Sequence, residues 1–208
     1  PSKSCWNILV GTYDSAQKIV LQCFSSLNND CVYIKVGNKG SQVQMERETQ
    51  FLKNAKNYNT FAVPTLLTSE SIQDGSPFSI QVTKGFNGNK VPLKMTAEIF
   101  RISKEIVGNS IDVNGEPHTF SHGDFAPWNI RKDGDTYTVF DWEHCGLRPE
   151  GYDVVYFCLM IEIAIHHLTF DIAYDRAIKT VKHFNPDLRP NKELILKYFR
   201  KTTKTLTY

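Results

Sequence analysis

The sequence predicts an α+β protein, strand-rich in its first half and helical towards its end. Three patterns carry that reading. Short apolar and β-branched runs alternate with polar turns in the early part of the 208 residues, the spacing of strands rather than of helices. After Asp153 the apolar residues come in longer stretches, Val154–Phe170, Ala173–His183 and Lys192–Thr203, and Asn185-Pro186-Asp187-Leu188-Arg189-Pro190 breaks the last two. Between the two regions, Asp133-Gly134-Asp135 separates two β-like runs and signals a hairpin.

In chain order, Asn7–Gly11 and Lys18–Phe24 read as strands around a polar turn, Asn28-Asn29-Asp30 as a further turn, and Cys31–Val36 as a third strand. Alternation puts Tyr33, Lys35 and Gly37 on one face of that strand and Val32, Ile34 and Val36 on the other. Gln42–Tyr58 then reads as a helix, with Met45, Glu48, Phe51 and Leu52 at helical spacing. Glu48 thus falls at the edge of a buried face. A carboxylate there needs a partner, since desolvating it alone is costly. Lys35 is the natural one; Glu46 competes with Glu48 but lies further from the apolar stripe, and a solvated Glu48 with a surface Lys35 is the bland alternative. Asp74-Gly75-Ser76-Pro77 is a turn, Phe78–Val82 a strand, and Asn87–Leu93 a flexible connection. Pro117 ends any helix before it and His118-Thr119-Phe120 forms an extended entry. Gly123 allows a sharp turn ahead of Asp124.

The richest stretch reads SHGDFAPWNI, and TYTVFDWE follows it. Asp124 sits in a tight loop, the amide Asn129 comes five positions later, and Asp141 ends the apolar run that follows. A hairpin built on Ile130-Arg131 and on Tyr137, Val139 and Phe140 brings Asn129 next to Asp141. This is the layout of phosphoryl transfer, which asks for positioning and charge neutralisation. Asn129 and Asp141 offer the hard oxygens that Mg²⁺ takes. Asp124 remains to accept a hydroxyl proton, and for that its reach matters more than a large pKa shift. His122 reads as a hydrogen-bonded structural residue, Trp128 and Trp142 as packing residues, and Asp153 as a buried or capping carboxylate that braces the loop.

HGDFAPWN followed by FDWE resembles the core of the aminoglycoside phosphotransferase and choline kinase group of small-molecule kinases. The pattern is similar to His-Arg-Asp, Asn and Asp-Phe-Gly of protein kinases, with Gly123 for the Arg and Trp142-Glu143 for Phe-Gly. The resemblance implies a bilobal protein-kinase-like fold. Its first lobe, residues 1–86, is an antiparallel sheet with a helix; its second, 87–208, is mainly helical and carries a catalytic hairpin, and it is compact or truncated for the family. It further implies that Asp124 is the catalytic base and that Asn129 and Asp141 hold the metal. Lys35 would pair with phosphate and be oriented by Glu48. Phe61–Leu67 would lead from the helix to the next strand, and adenine would bond backbone from Val82 to Gly85. Thr12 and Ser15 lie in the loop over the phosphates, which has only Gly11 in place of a glycine-rich run.

The cofactors implied are ATP and Mg²⁺, and the partner is a small molecule with a hydroxyl acceptor: an aminoglycoside, a choline-like compound or a sugar. The alternatives are a nucleotide-binding module without turnover, and a protein kinase, which the missing Ala-Pro-Glu segment disfavours. A formal charge of +2 with dispersed Lys and Arg gives no nucleic-acid footprint. The five scattered cysteines lack a CxxC pair and suggest reduced thiols in the cytoplasm. Val154–Leu168 is interrupted by polar residues and too short to span a bilayer. No signal-peptide pattern opens the chain. Oligomeric state and acceptor identity have no signature in the sequence.

Overall fold

The computed structural model describes residues 5–10, 16–24, 31–72 and 77–203. The chain folds as two compact units. The first comprises residues 1–56 and 63–87, and the second residues 57–62 and 88–208. The architecture is α+β: an antiparallel sheet with one helix in the first unit, and small sheets with most of the helices in the second.

The first unit is a five-stranded antiparallel sheet in the order β1-β2-β3-β5-β4. Its members are β1 (Cys5–Val10), β2 (Lys18–Phe24), β3 (Cys31–Asn38), β4 (Leu66–Ile72) and β5 (Phe78–Lys84). The strand β4, to which the sequence reading gave no bounds, is polar through its centre, Thr68-Ser69-Glu70-Ser71, and lies at the sheet edge. Helix α1 (Gln42–Asn54) buries Met45, Glu48, Thr49 and Leu52; of the residues expected on that face Phe51 is only half-buried, and Thr49 takes its place. Gly37 lets that helix approach the sheet, because a Cβ there would lie 2.2 Å from Ser41 Oγ and 2.3 Å from Met45 Sδ. The contact is partly polar: Gln81 Nε2 on β5 donates to Thr49 Oγ1 at 3.0 Å.

Helix α1 ends at Asn54, four residues before the expected Tyr58, and Ala55 is already extended. The residues beyond it have other partners. Glu105 of α2 (Ala97–Ile106) accepts from the Asn59 N–H at 2.5 Å, Asn59 Nδ2 at 3.0 Å, the Thr60 N–H at 2.8 Å and Thr60 Oγ1 at 2.5 Å. One carboxylate thus satisfies four donors of an irregular segment, and this capture outweighs helix propensity.

In the second unit, β6 (Asn89–Lys90), β9 (Ile130–Asp133) and β10 (Thr136–Val139) form one sheet, in the order β10-β9-β6. The strands β7 (Ile111–Val113), β8 (Glu116–Ser121) and β11 (Gly146–Pro149) form another, in the order β11-β8-β7. The expected connection at Asn87–Leu93 is therefore partly a strand: Asn89 pairs with Lys132 and Lys90 with Arg131. Pro117 terminates no helix, since α2 stops at Ile106 and Pro117 lies within β8 opposite Asp112. The turn Asn114-Gly115, with φ of 57° and 81°, closes that hairpin.

Ile99, Ile102 and Ile106 of α2 are buried, one stripe at helical spacing. Every residue of α3 (Tyr152–Met160) is buried, as an all-round apolar helix requires. A π-turn over Ile161–Ile165 follows it and the helix ends there, so α4 (Phe170–Phe184) is separate from it. The expected single helix to Phe170 is thus broken, with His167 at φ 55°. The helix α5 (Lys192–Thr202) buries Ile195 and Phe199. Among the described residues no helix is long and apolar enough to cross a membrane.

Candidate active site

In the second unit the local fold converts sequence spacing into proximity. β9 and β10 join through the two-residue turn Gly134-Asp135, with Asp133 opposite Thr136 and Ile130 opposite Val139. Asn129 enters this hairpin and Phe140 leaves it, and the Phe140 N–H donates to the Asn129 carbonyl at 3.1 Å. Asp141 follows directly. Its backbone is left-handed, φ 68° and ψ 57°, a costly conformation for a residue with a Cβ and one that clusters at functional sites.

Asp124 lies in the loop after β8. Its Oδ1 accepts from Tyr156 Oη at 2.7 Å and its Oδ2 from Asn129 Nδ2 at 2.9 Å. The same Nδ2 donates to the Asp124 carbonyl at 2.9 Å. Only the NH₂ end of the amide can make both bonds, which leaves Asn129 Oδ1 as the acceptor end. Burial pushes the Asp124 carboxyl up to about 6; the Tyr156 bond opposes this and the charge of Asp141 adds to it. Burial likewise raises Tyr156 well above the ordinary phenol range, so it is a donor and not a phenolate.

The loop is pinned from below. Asp153, in the first turn of α3, accepts from the His122 N–H at 2.7 Å and the Gly123 N–H at 3.0 Å. Burial raises its carboxyl to about 6 against these two bonds. This is the bracing expected of it. Gly123 has φ 85°, and a Cβ there would stand 2.1 Å from the His144 carbonyl oxygen. His122 is fully buried. Its Nδ1 accepts from the Asp124 N–H at 3.2 Å, so Nε2 carries the proton that meets the Phe140 carbonyl at 3.0 Å. Burial lowers its pKa to about 4. The imidazole therefore ties the loop after β8 to the end of the hairpin. Trp142 packs on it at 4.5 Å between centroids and donates from Nε1 to the Val139 carbonyl at 2.9 Å, the packing part expected of it.

The first unit holds the other expected residues. Lys35 Nζ lies 2.6 Å from Glu48 Oε2, with the two side chains 15% and 4% exposed. The expected ion pair is formed, and Glu46 is not its carboxylate. Val82 sits inside β5, opposite Ile34 on β3 and Thr68 on β4, so its backbone groups belong to the sheet. The Gly85 N–H donates to the Cys31 carbonyl at 2.6 Å. Thr12 and Ser15 lie outside the described residues.

Tyr156 is the residue that sequence reasoning missed. It lies 32 positions beyond Asp124, within a run that reads simply as apolar helix. The one available signal was its spacing of three from Asp153, which puts both on one helix face.

Comparison with known proteins agrees with this architecture. Residues 89–187 match the model of the phosphotransferase enzyme family, the family group that the HGDFAPWN and FDWE motifs resemble. A search of curated proteins finds no match. Among solved structures, the amicoumacin kinase hAmiN, in complex with AMP-PNP, Ca²⁺ and Ami, is similar with a TM-score of 0.54 and 10% identity, over 96% of this chain and 83% of that one. A fructosamine-3-kinase-like protein from Haemophilus somnus 129PT is similar with a TM-score of 0.54 and 10% identity, over 97% of this chain and 92% of that one. At that identity the likeness is one of fold: the chain shares the kinase-like fold of these two proteins.

Proposed function

We propose that this protein is an ATP-dependent phosphotransferase that moves the γ-phosphoryl group to a hydroxyl of a small molecule of the aminoglycoside, choline-like or sugar kind. The observation that carries the proposal is the Asp124 carboxylate, oriented through both oxygens in a loop that Asp153 and His122 hold rigid. A base for a hydroxyl needs placement first. Each carboxylate oxygen has two lone-pair sites and one bond, so capacity remains for the acceptor's proton.

Asn129 Oδ1 and the Asp141 carboxylate are the oxygen donors that would hold Mg²⁺. Their chemistry fits that ion, which takes few protein ligands and keeps waters. When bound, the ion would neutralise charge on the nucleotide phosphates. Lys35, held by Glu48, would pair with phosphate, and backbone groups from Val82 to Gly85 would meet the adenine.

A thermal-shift titration with ATP tests the proposal, with and without Mg²⁺. A ligand at a hundred times its Kd stabilises by about 2.7 kcal/mol, a shift of several degrees. The shift should require Mg²⁺ and shrink in Asp141→Asn, which loses a charged ligand. Asp124→Asn should keep the shift and lose about 10²-fold or more in transfer. No shift in the wild type would sink the nucleotide reading. A Mg²⁺-dependent shift with no transfer to any hydroxyl compound would identify a binding module instead.

A further inference from the structure

We propose that Tyr156 is a positioning residue for Asp124: its phenol locks the carboxylate in the single rotamer that presents a lone pair to the acceptor hydroxyl. The inference rests on the reading of Asp124 as the base and deepens it.

Tyr156 is 2% exposed and packs against Tyr152 at 5.5 Å and Phe199 at 5.6 Å between ring centroids. Its ring is thus fixed by the core, and its O–H has one described partner, Asp124 Oδ1 at 2.7 Å. A buried phenol needs an acceptor, but a backbone carbonyl would serve, as Pro190 serves Tyr174 at 3.0 Å. Tyr156 instead takes a carboxylate, a charge-assisted bond with about twice the strength of a neutral one.

The helix makes the arrangement coherent. Asp153 and Tyr156 are three residues apart on α3 and share a face. Asp153 holds the loop backbone through His122 and Gly123, while Tyr156 holds the side chain of the next residue. Asn129 secures the other oxygen. Without the phenol only the Asn129 bond restrains Asp124 χ2, an intrinsically broad, two-fold torsion, and an error of about 1 Å at a reacting group can cost about 10²-fold in rate.

Tyr156→Phe removes the hydroxyl and keeps the ring. Two readouts decide the proposal. The first uses protein labelled with carbon-13 at its aspartate carboxyls, at one fixed pH. The Asp124 resonance, assigned by its loss in Asp124→Asn, should move in Tyr156→Phe and stay in place in Tyr174→Phe, which loses a phenol bonded only to a carbonyl. The second is ADP formation with Mg·ATP and a panel of small hydroxyl compounds. Tyr156→Phe should lower kcat about tenfold or more with KM for ATP unchanged, and adding it to Asp124→Asn should cost nothing further. An unmoved resonance overturns the proposal, as does an unchanged kcat in an active enzyme. If the wild type forms no ADP, the functional reading fails and the resonance alone decides the positioning. Should Tyr156→Phe not fold, a fluorinated tyrosine at 156, a stronger donor of nearly the same shape, should move the same resonance the opposite way.

Discussion

The buried His122 and Asp153 and the half-buried Asp124 lie in or beneath the loop after β8, and their titrations oppose one another. His122 has its pKa lowered from 6.5 to about 4. Between those values the unfolded chain binds more protons, so this contribution to stability is complete above 6.5 and is lost as pH falls through about 4. Asp124 and Asp153 are each raised from 3.8 to about 6. There the folded chain binds more protons, so their contribution declines as pH rises through the same window. His122→Gln retains a donor and an acceptor but does not titrate. Relative to wild type it should gain on the order of 2 kcal/mol between pH 7 and pH 4.5, read by urea unfolding at both values; parallel pH slopes would refute the buried neutral imidazole. Gly123→Ala should destabilise by about 2 kcal/mol or more, from its positive φ and the contact with the His144 carbonyl; denaturation within 0.5 kcal/mol of wild type, the usual scatter of a surface change, would contradict that. At this scale the sequence was legible where partners are near in the chain. Asp124 and Asn129 could be paired by spacing. Tyr156 could not, because its partner depends on how a distant helix packs.

Among the elements, the hairpin β9–β10 was readable because its turn residues must adopt special backbone angles, and it brings Asn129 to Phe140 and hence to Asp141. The hairpin β7–β8 carries an equally plain signal in Asn114-Gly115, which the nearby Pro117 masks by suggesting a helix end. Helix α1 was read with most of its buried face right, Phe51 excepted, and its end wrong. Its end is set by Glu105, a tertiary partner that spacing cannot reveal. Glu105→Gln replaces one acceptor oxygen with a donor that faces N–H or O–H groups. It should cost about 1–3 kcal/mol and leave the Lys35–Glu48 pair formed. Amide exchange at Asn59 and Thr60 should rise while exchange within α1 stays unchanged; unaltered protection at Asn59 and Thr60 would show that the carboxylate does not hold them.

At the scale of the whole molecule, the division into two units is discontinuous. Residues 57–62 belong with the second unit although the first surrounds them in sequence. Phe61 is 5% exposed and stacks on Tyr58 and Trp142. The Ala62 N–H donates to the Tyr137 carbonyl at 2.7 Å and the Val139 N–H to the Ala62 carbonyl at 2.9 Å, which extends the sheet past β10. A fragment of residues 88–208 alone should unfold at a lower denaturant midpoint than one carrying 57–62 on a flexible linker; equal midpoints would show the segment to be dispensable.

The segment also imposes an order in time. On a ribosome that releases the chain from its first residue, residues 57–62 emerge long before Tyr137 and Val139 exist to receive them, although domains otherwise tend to fold as they are released. Phe61 and the Ala62 backbone stay in water for that interval, and the place where they dock exists once the β9–β10 hairpin has been made.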